Sequence, residues 1–89
     1  MRIDDVSVSS LRLLLGIIDT GSFTRAAERF GMTQSGVSQA MRALESSLHG
    51  SVLLHRGRNG VRLTAFGEKV ATHARAVLGH VECIRWWSS

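Results

Sequence analysis

The chain has 89 residues, 44% of them hydrophobic, with 11 Lys/Arg against 7 Asp/Glu and a net charge of +4. That is the size of one domain, near the low end of what folds without staples, with apolar content for a modest core and too little for a deep catalytic cleft. The single cysteine, Cys83, excludes an internal disulfide framework and suits a reducing cytoplasm.

No charged–apolar–small signal segment opens the chain. Its longest apolar run, Leu13–Ile18, is too short to span a bilayer and contains Gly16. The charge is unevenly placed. Residues 1–45 hold five Arg and five Asp/Glu, whereas residues 46–89 hold six Lys/Arg (Arg56, Arg58, Arg62, Lys69, Arg75, Arg85) against Glu68 and Glu82, which is the whole of the +4. A focused basic segment suits a polyanion, either nucleic acid or an anionic membrane surface. The blander reading is a solvated loop, and the helix pair next to it favours DNA.

Residues 1–6 read as a loose end. From about Ser7 to Thr20 the chain predicts an amphipathic helix. Leu11, Leu14, Leu15 and Ile18 follow i, i+3, i+4, i+7 spacing, and Val8, Leu13 and Ile17 widen the face. Ser7, Ser9 or Ser10 can cap it and Gly21 ends it. Gly16, mid-helix, should cost about 1 kcal/mol relative to Ala unless a neighbour packs closely there. This helix is expected to be scaffold.

Ser22 to Leu48 reads as two short helices broken by a tight turn. Ser22 can cap the first, since its hydroxyl can accept from an orphan N–H one turn in. Ala26, Ala27 and Phe30 share one face, and Gly31 can take the left-handed conformation that stops the helix. Thr33 can cap the second, with Val37, Ala40, Met41, Leu44 and Leu48 as its apolar stripe. Ala27 is small enough for a close crossing, Gly31 lies four residues on, and Val37 lies ten residues after Ala27. This is the spacing of a helix-turn-helix, which leaves the start of its second helix free for a DNA groove. The competing reading is a plain helical hairpin.

After Leu48 the period changes. Ser51–Arg56 and Val61–Thr64 read as short strands around Gly57-Arg58-Asn59-Gly60. Asn59-Gly60 is a strong two-residue hairpin signal, because both residues tolerate positive φ. Such a hairpin after a helix-turn-helix is a wing, with Arg58 at its tip and Arg56 and Arg62 on its flanks. Thr64 reads as another cap. Ala65 to about Trp86 predicts one helix, roughly 33 Å long at 1.5 Å per residue. Val70, Ala74, Val77, Val81 and Ile84, with Ala71 and Leu78, stripe almost its whole length. A domain this small cannot cover all of that stripe, so pairing with the same helix of a second copy is expected. The alternative is that the helix folds back on its own domain.

Other chemistry is thin. His80 and Cys83 have i, i+3 spacing, but two ligands do not make a metal site and no second cluster accompanies them. His73 and His80 are expected in solvent or at a dimer seam. No Ser-His-Asp or paired-carboxylate arrangement is present, so neither an enzyme nor a cofactor is expected. Gly57-x-x-Gly60 is a turn rather than a phosphate loop. Trp86 and Trp87 are expected to pack on a partner chain or a further domain.

Taken together, Gly21-Ser-Phe-Thr-Arg-Ala-Ala-Glu-Arg-Phe30, Thr33-Gln-Ser-Gly-Val-Ser-Gln-Ala-Met-Arg-Ala-Leu-Glu45 and Gly60-Val-Arg-Leu-Thr-Ala-Phe-Gly67 resemble the N-terminal domain of LysR-type transcriptional regulators. The resemblance runs from about residue 8 to 85. Molybdate-responsive regulators carry a similar domain. It implies a mainly α fold: a winged helix-turn-helix of three helices and a two-stranded wing over 1–64, then a linker helix over 65–89 that dimerises antiparallel. It also implies a recognition helix in the major groove, a wing in the neighbouring minor groove, and action in the bacterial cytoplasm or nucleoid. The family usually continues into an effector-binding domain of two α/β lobes. That domain is absent from these residues, which are expected to be an excised fragment or a short natural relative. Gln39 stands where a basic residue is common, Gly36 where Ala or Pro is frequent, and Leu54-His55-Arg56 and His49-Gly50-Ser51 also depart from the family pattern.

Gln34, Ser35, Ser38 and Gln39 occupy the first turns of the second helix, away from Val37, Ala40 and Met41. Gln can bond two atoms of an adenine edge, and Ser can serve a base or a phosphate. By the resemblance, Gln34, Ser35 and Ser38 meet DNA; Gln39 is balanced between contact and solvent. Thr24, Arg25 and Thr33 lie near helix starts, where N–H groups and hydroxyls suit phosphates. Arg25 and Arg29 can instead pair with Glu28 or Asp19. Arg42 can reach the backbone, and Arg56 and Arg58 are the wing candidates for a narrow A·T-rich minor groove. The expected partners are a double-stranded, partly two-fold symmetric DNA operator and a second copy of the chain, with no membrane. The other class of function is a winged helix that binds protein and has abandoned DNA; the Arg-rich wing argues against it.

Overall fold

Each helix starts where a hydroxyl can satisfy its first turn. The computed structural model describes residues 6–88. Helix α1 (Val8–Thr20) is capped by Ser7, and Ser10 completes a capping box. The Ser7 hydroxyl accepts from the Ser10 N–H and the Ser10 hydroxyl from the Ser7 N–H, both at 3.0 Å. Of the three serines expected as caps, Ser7 therefore does the capping and Ser10 assists it. Helix α2 (Phe23–Phe30) is capped by Ser22 and closed by Gly31 at φ 64°. Helix α3 (Gln34–Ser47) is capped by Thr33, whose hydroxyl accepts from the Gly36 N–H at 3.0 Å. Helix α4 (Ala65–Ser88) starts behind Thr64, whose hydroxyl accepts from the Gly67 N–H at 2.9 Å.

Residues 1–5 lie outside the described residues; Val6, expected in the loose end, packs against the core. The buried face of α1 is centred on Leu13, Leu14 and Ile17, while Leu11, Leu15 and Ile18 are half-buried. The face is rotated from the expected stripe because α1 packs against α2, α3 and α4 at once. Gly16 is buried, and a Cβ there would run into the ring of Phe30. That close approach accounts for a glycine in the middle of a helix.

Ala26 and Ala27 of α2 meet Val37, Met41 and Leu44 of α3 in the same core, joined by Phe23, Leu53 and Leu54. Fully burying one such aliphatic side chain is worth about 1.5–3 kcal/mol, so Leu14, Ile17, Val37, Leu44 and Leu53 anchor the pair.

Strands β1 (Leu54–Gly57) and β2 (Gly60–Leu63) form one antiparallel hairpin. Its pairs are Leu54 with Leu63, His55 with Arg62, Arg56 with Val61 and Gly57 with Gly60. The turn is therefore Arg58-Asn59, one residue earlier than the Asn59-Gly60 signal suggests. Gly60 alone of these residues takes positive φ, at 108°. A Cβ on Gly60 would stand 3.1 Å from the Gly21 carbonyl oxygen, so the base of the turn sits against the α1–α2 corner.

Strand β1 also starts three residues later than expected. The Leu53 N–H donates to the Glu45 carboxylate at 2.7 Å, and the Leu53 carbonyl accepts from the Thr64 N–H at 3.0 Å. The chain just before β1 is thus tied to α3 and to the head of α4. The last helix runs 24 residues, about 36 Å at 1.5 Å per residue.

Candidate nucleic-acid interface

Helix α3 has two chemically distinct sides. Val37, Met41 and Leu44 face inward, while Gln34, Ser35, Gln39 and Arg42 are exposed and Ser38 is half-buried. A 3.6-residue period allows this division, because the inward residues recur every three or four positions. Gln34 and Ser35 sit directly after the Thr33 cap, at the positive end of the helix dipole. Thr33 is exposed, and its hydroxyl, already accepting from Gly36, keeps its own hydrogen for another acceptor.

The hairpin sorts its basic residues onto different faces. Directly paired residues share a face and neighbours alternate. Leu54, Arg56, Val61 and Leu63 therefore share the inward face, and His55 and Arg62 share the outward one. The flanking pair expected around the tip is split: Arg56 turns toward the helices and Arg62 away. The Arg56 guanidinium lies over the Phe23 ring, 4.0 Å from its centroid. It also donates to the Ser38 hydroxyl across a long 3.4 Å. Phe23, Ser38, Arg42, Glu45 and Arg56 line a shared cleft of about 140 Å³ between α2, α3 and β1. Arg58 is exposed in the turn.

Thr24 and Arg25 are exposed in the first turn of α2. Arg25 borders an open depression shared with Asp19, Thr20, Glu28 and Arg29. Arg29 reaches Asp19 at 3.9 Å, a surface ion pair that contributes little. Arg56 thus meets α3 at Ser38 and shares a cleft with Arg42, while Arg25 and Arg29 of α2 border a depression of mixed charge.

Along α4 the expected stripe divides. Val70 is half-buried against the core and Ala74 is fully buried within its own chain. Ala74 is therefore a core residue here, because α1 packs over the first half of α4. Farther on, Val81 is half-buried, Val77 is 39% exposed and Ile84 is 67% exposed. Trp86 and Trp87 are 81% and 90% exposed. Beside the stripe, an apolar groove of about 450 Å³ is lined by Val6, Leu11, Leu48, Phe66, Val70 and Val77, among others. His73, His80 and Cys83 are exposed on the same helix, and no group of three or more metal-ligating side chains occurs among the described residues. No helix among them is long and apolar enough to cross a membrane.

Two contributors lie outside the residues expected from sequence. Phe23 supplies the platform for Arg56, and Glu45 holds the peptide that launches the wing. The alternation inward from Leu54 carried a signal for the first. Nothing local marked Glu45, whose partner is eight residues away.

The chain matches the family model described as bacterial regulatory helix-turn-helix protein, lysR family, over residues 8–68. It is 36% identical over 77 residues to the HTH-type transcriptional regulator YvbU of Bacillus subtilis, covering 86% of this chain and 26% of that protein. It is 46% identical over 68 residues to the small neutral protease regulatory protein of Streptomyces coelicolor, covering 76% and 21%. The chain spans about a quarter of the length of these curated relatives. Its fold is similar to that of the DNA-binding domain in the crystal structure of a CbnR_DBD–DNA complex, with a TM-score of 0.84 at 30% identity, covering 93% of this chain and 94% of that one.

Proposed function

The chain belongs to the lysR family of bacterial regulatory helix-turn-helix proteins, and on that premise we propose that it binds double-stranded DNA sequence-specifically in transcriptional regulation. In this reading residues 1–64 are the DNA-binding unit. Helix α3 enters the major groove, which admits an α-helix, and Gln34, Ser35, Ser38 and Gln39 face base edges or phosphates. Thr24, Arg25, Thr33 and Arg42 hold the flanking phosphates. Arg58, at the turn, reaches the adjacent minor groove. The one observation that carries the reading is the exposed polar leading edge of α3, joined to a basic wing strand at Ser38 while Val37, Met41 and Leu44 on the opposite side of the helix are buried.

Residues 65–89 act as a linker helix that pairs with a second copy. The apolar surface at Val77 and Ile84, with the tryptophans beyond it, supports this part. A second copy gives a site of two related half-sites. The regulator works on DNA in the bacterial cytoplasm. The alternative is a winged helix that binds only protein; the exposed basic turn at Arg58 argues against it.

Titrating a fluorescent random duplex and a duplex selected from a random pool, each at two salt concentrations, tests the reading. Binding should weaken steeply with salt, because phosphate contacts release counterions, and the selected duplex should bind more tightly. A chain that binds neither duplex at low salt refutes it.

A further inference from the structure

Arg56 is an exposed arginine on a wing, so its charge suggests a free phosphate or groove contact. Its surroundings suggest otherwise. It lies on the inward face of the hairpin with Leu54, Val61 and Leu63. Its planar head stacks over Phe23 at 4.0 Å and donates to Ser38 at 3.4 Å. Three elements therefore meet on one side chain: α2 through Phe23, α3 through Ser38 and β1 through Arg56 itself. A planar guanidinium is suited to stacking and forked donation at once, which an ammonium is not.

The consequence lies in Ser38. A serine hydroxyl has one hydrogen to donate and two lone pairs to accept with, and a guanidinium can only donate. Ser38 must therefore be the acceptor toward Arg56, which leaves its O–H hydrogen for a different partner. The neighbouring positive charge polarises that O–H and strengthens it as a donor. In the major groove, guanine O6 and N7, adenine N7 and thymine O4 accept, whereas cytosine presents only an amino donor.

We propose that Arg56 is a positioning residue: clamped on Phe23 and Ser38, it locks the wing to the recognition helix and commits the Ser38 hydroxyl to donating to a purine or thymine edge. This rests on the reading of α3 as the recognition helix. Arg56 then acts on specificity through Ser38, while Arg58 supplies the plain charge of the wing.

The test compares the unsubstituted 89-residue chain with Arg56→Lys, Ser38→Ala and the double variant, on a pool-selected duplex and a random duplex. Arg56→Lys keeps the charge, so the salt slope should stay unchanged, while the selected-to-random affinity ratio should fall roughly three- to tenfold, the range of one net hydrogen bond. Ser38→Ala should lower the ratio similarly, and the double variant no further than either alone, since coupled residues are not additive. Replacing the purines of the selected site one at a time by 7-deaza analogues, its guanines also by 2-aminopurine, which lacks O6, and its thymines by analogues lacking O4, should reveal a position that weakens the unsubstituted chain and leaves Ser38→Ala unaffected. Independent losses in the double variant, or equal loss on both duplexes, would overturn the proposal in favour of a phosphate contact.

A readout without DNA separates the two layers. In the free chain the Arg56 δ protons should be shifted upfield by the Phe23 ring. Absence of that shift in a chain that still discriminates duplexes sinks the clamp and spares the functional reading. A present shift with no duplex binding sinks the functional reading, and the donor role of Ser38 with it.

Discussion

Two glycines of α4 predict opposite outcomes for the same substitution. Gly67 is buried in the first turn, and a Cβ built there lands within contact of the Leu53 carbonyl oxygen and 3.1 Å from Leu63 Cδ2. The Leu53 peptide has little room to retreat. Its N–H is held by Glu45 at 2.7 Å and its carbonyl by the Thr64 N–H at 3.0 Å, while the Thr64 hydroxyl donates to the preceding Val52 carbonyl at 2.7 Å. Gly79 lies in the same helix with nothing within 4 Å of an added Cβ. Replacing Gly by Ala in a helix interior gains about 1 kcal/mol. At Gly79 that gain stands alone. At Gly67 it is opposed by overpacking of about 1–3 kcal/mol and by about 0.5–1.5 kcal/mol for each hydrogen bond that loosens.

Gly67→Ala should therefore destabilise the chain by a net ~1–3 kcal/mol, and Gly79→Ala should stabilise it by just under ~1 kcal/mol. For a domain of this size 1 kcal/mol moves Tm by about 4–8 °C. Thermal melts followed by circular dichroism at 222 nm resolve both shifts. They are to be run at one fixed protein concentration, because the proposed dimerisation would make Tm concentration-dependent. A Gly67→Ala chain that melts at or above the unsubstituted one would show that the Leu53 peptide yields freely, and the account of how wing and last helix are joined would fail.

Glu45→Ala leaves the Leu53 N–H without its acceptor and should cost about 1–3 kcal/mol, read by urea denaturation; a change under a few tenths would mean water replaces the carboxylate at no loss. Gln34→Ala should remove about 1–3 kcal/mol of discrimination between the selected and a random duplex, with equal loss on both counting against a base contact. Arg58→Ala should reduce the salt slope by roughly one unit, and an unchanged slope takes the turn off the contact surface. Ile84→Asp places a charge on the exposed apolar stretch of α4 and should shift the chain toward monomer in analytical ultracentrifugation; an unaltered dimer would put the seam elsewhere.

The parts of the fold that were legible in sequence are those decided locally. Ser22, Gly31 and Thr33 act within one helical turn of themselves, so their roles follow from residue type and spacing. The Ala27–Gly31–Val37 relation was also legible, because a close helix crossing and a left-handed turn leave little choice of residue. The hairpin register was not. Asn59 and Gly60 fit either of two placements by their own chemistry, and the placement found brings Gly60 against the Gly21 carbonyl, 39 residues back in a different corner. Burial of Ala74 within its own chain was hidden for a related reason: its stripe is continuous in sequence, but only the first half of it is buried.

The charge run shows where period must be read before composition. Three arginines within seven residues look like one basic patch. Pairing Arg56 with Val61 and His55 with Arg62 divides them into an inward residue, a turn residue and an outward one. The inward one is tolerated because an aromatic face and a hydroxyl receive it, and a guanidinium is weakly enough hydrated to accept that exchange. Its neighbour in space, the Leu53 peptide, is fixed at the same time by Glu45 of α3 and Thr64 at the head of α4. Helix α3, the wing and the last helix therefore share two small junctions, one of side chains and one of backbone. Because Glu45 holds the Leu53 peptide and Ser38 receives Arg56, the wing and α3 are fixed to one another at both junctions, and a displacement at the head of α4 would be passed through the Leu53 peptide to the two together.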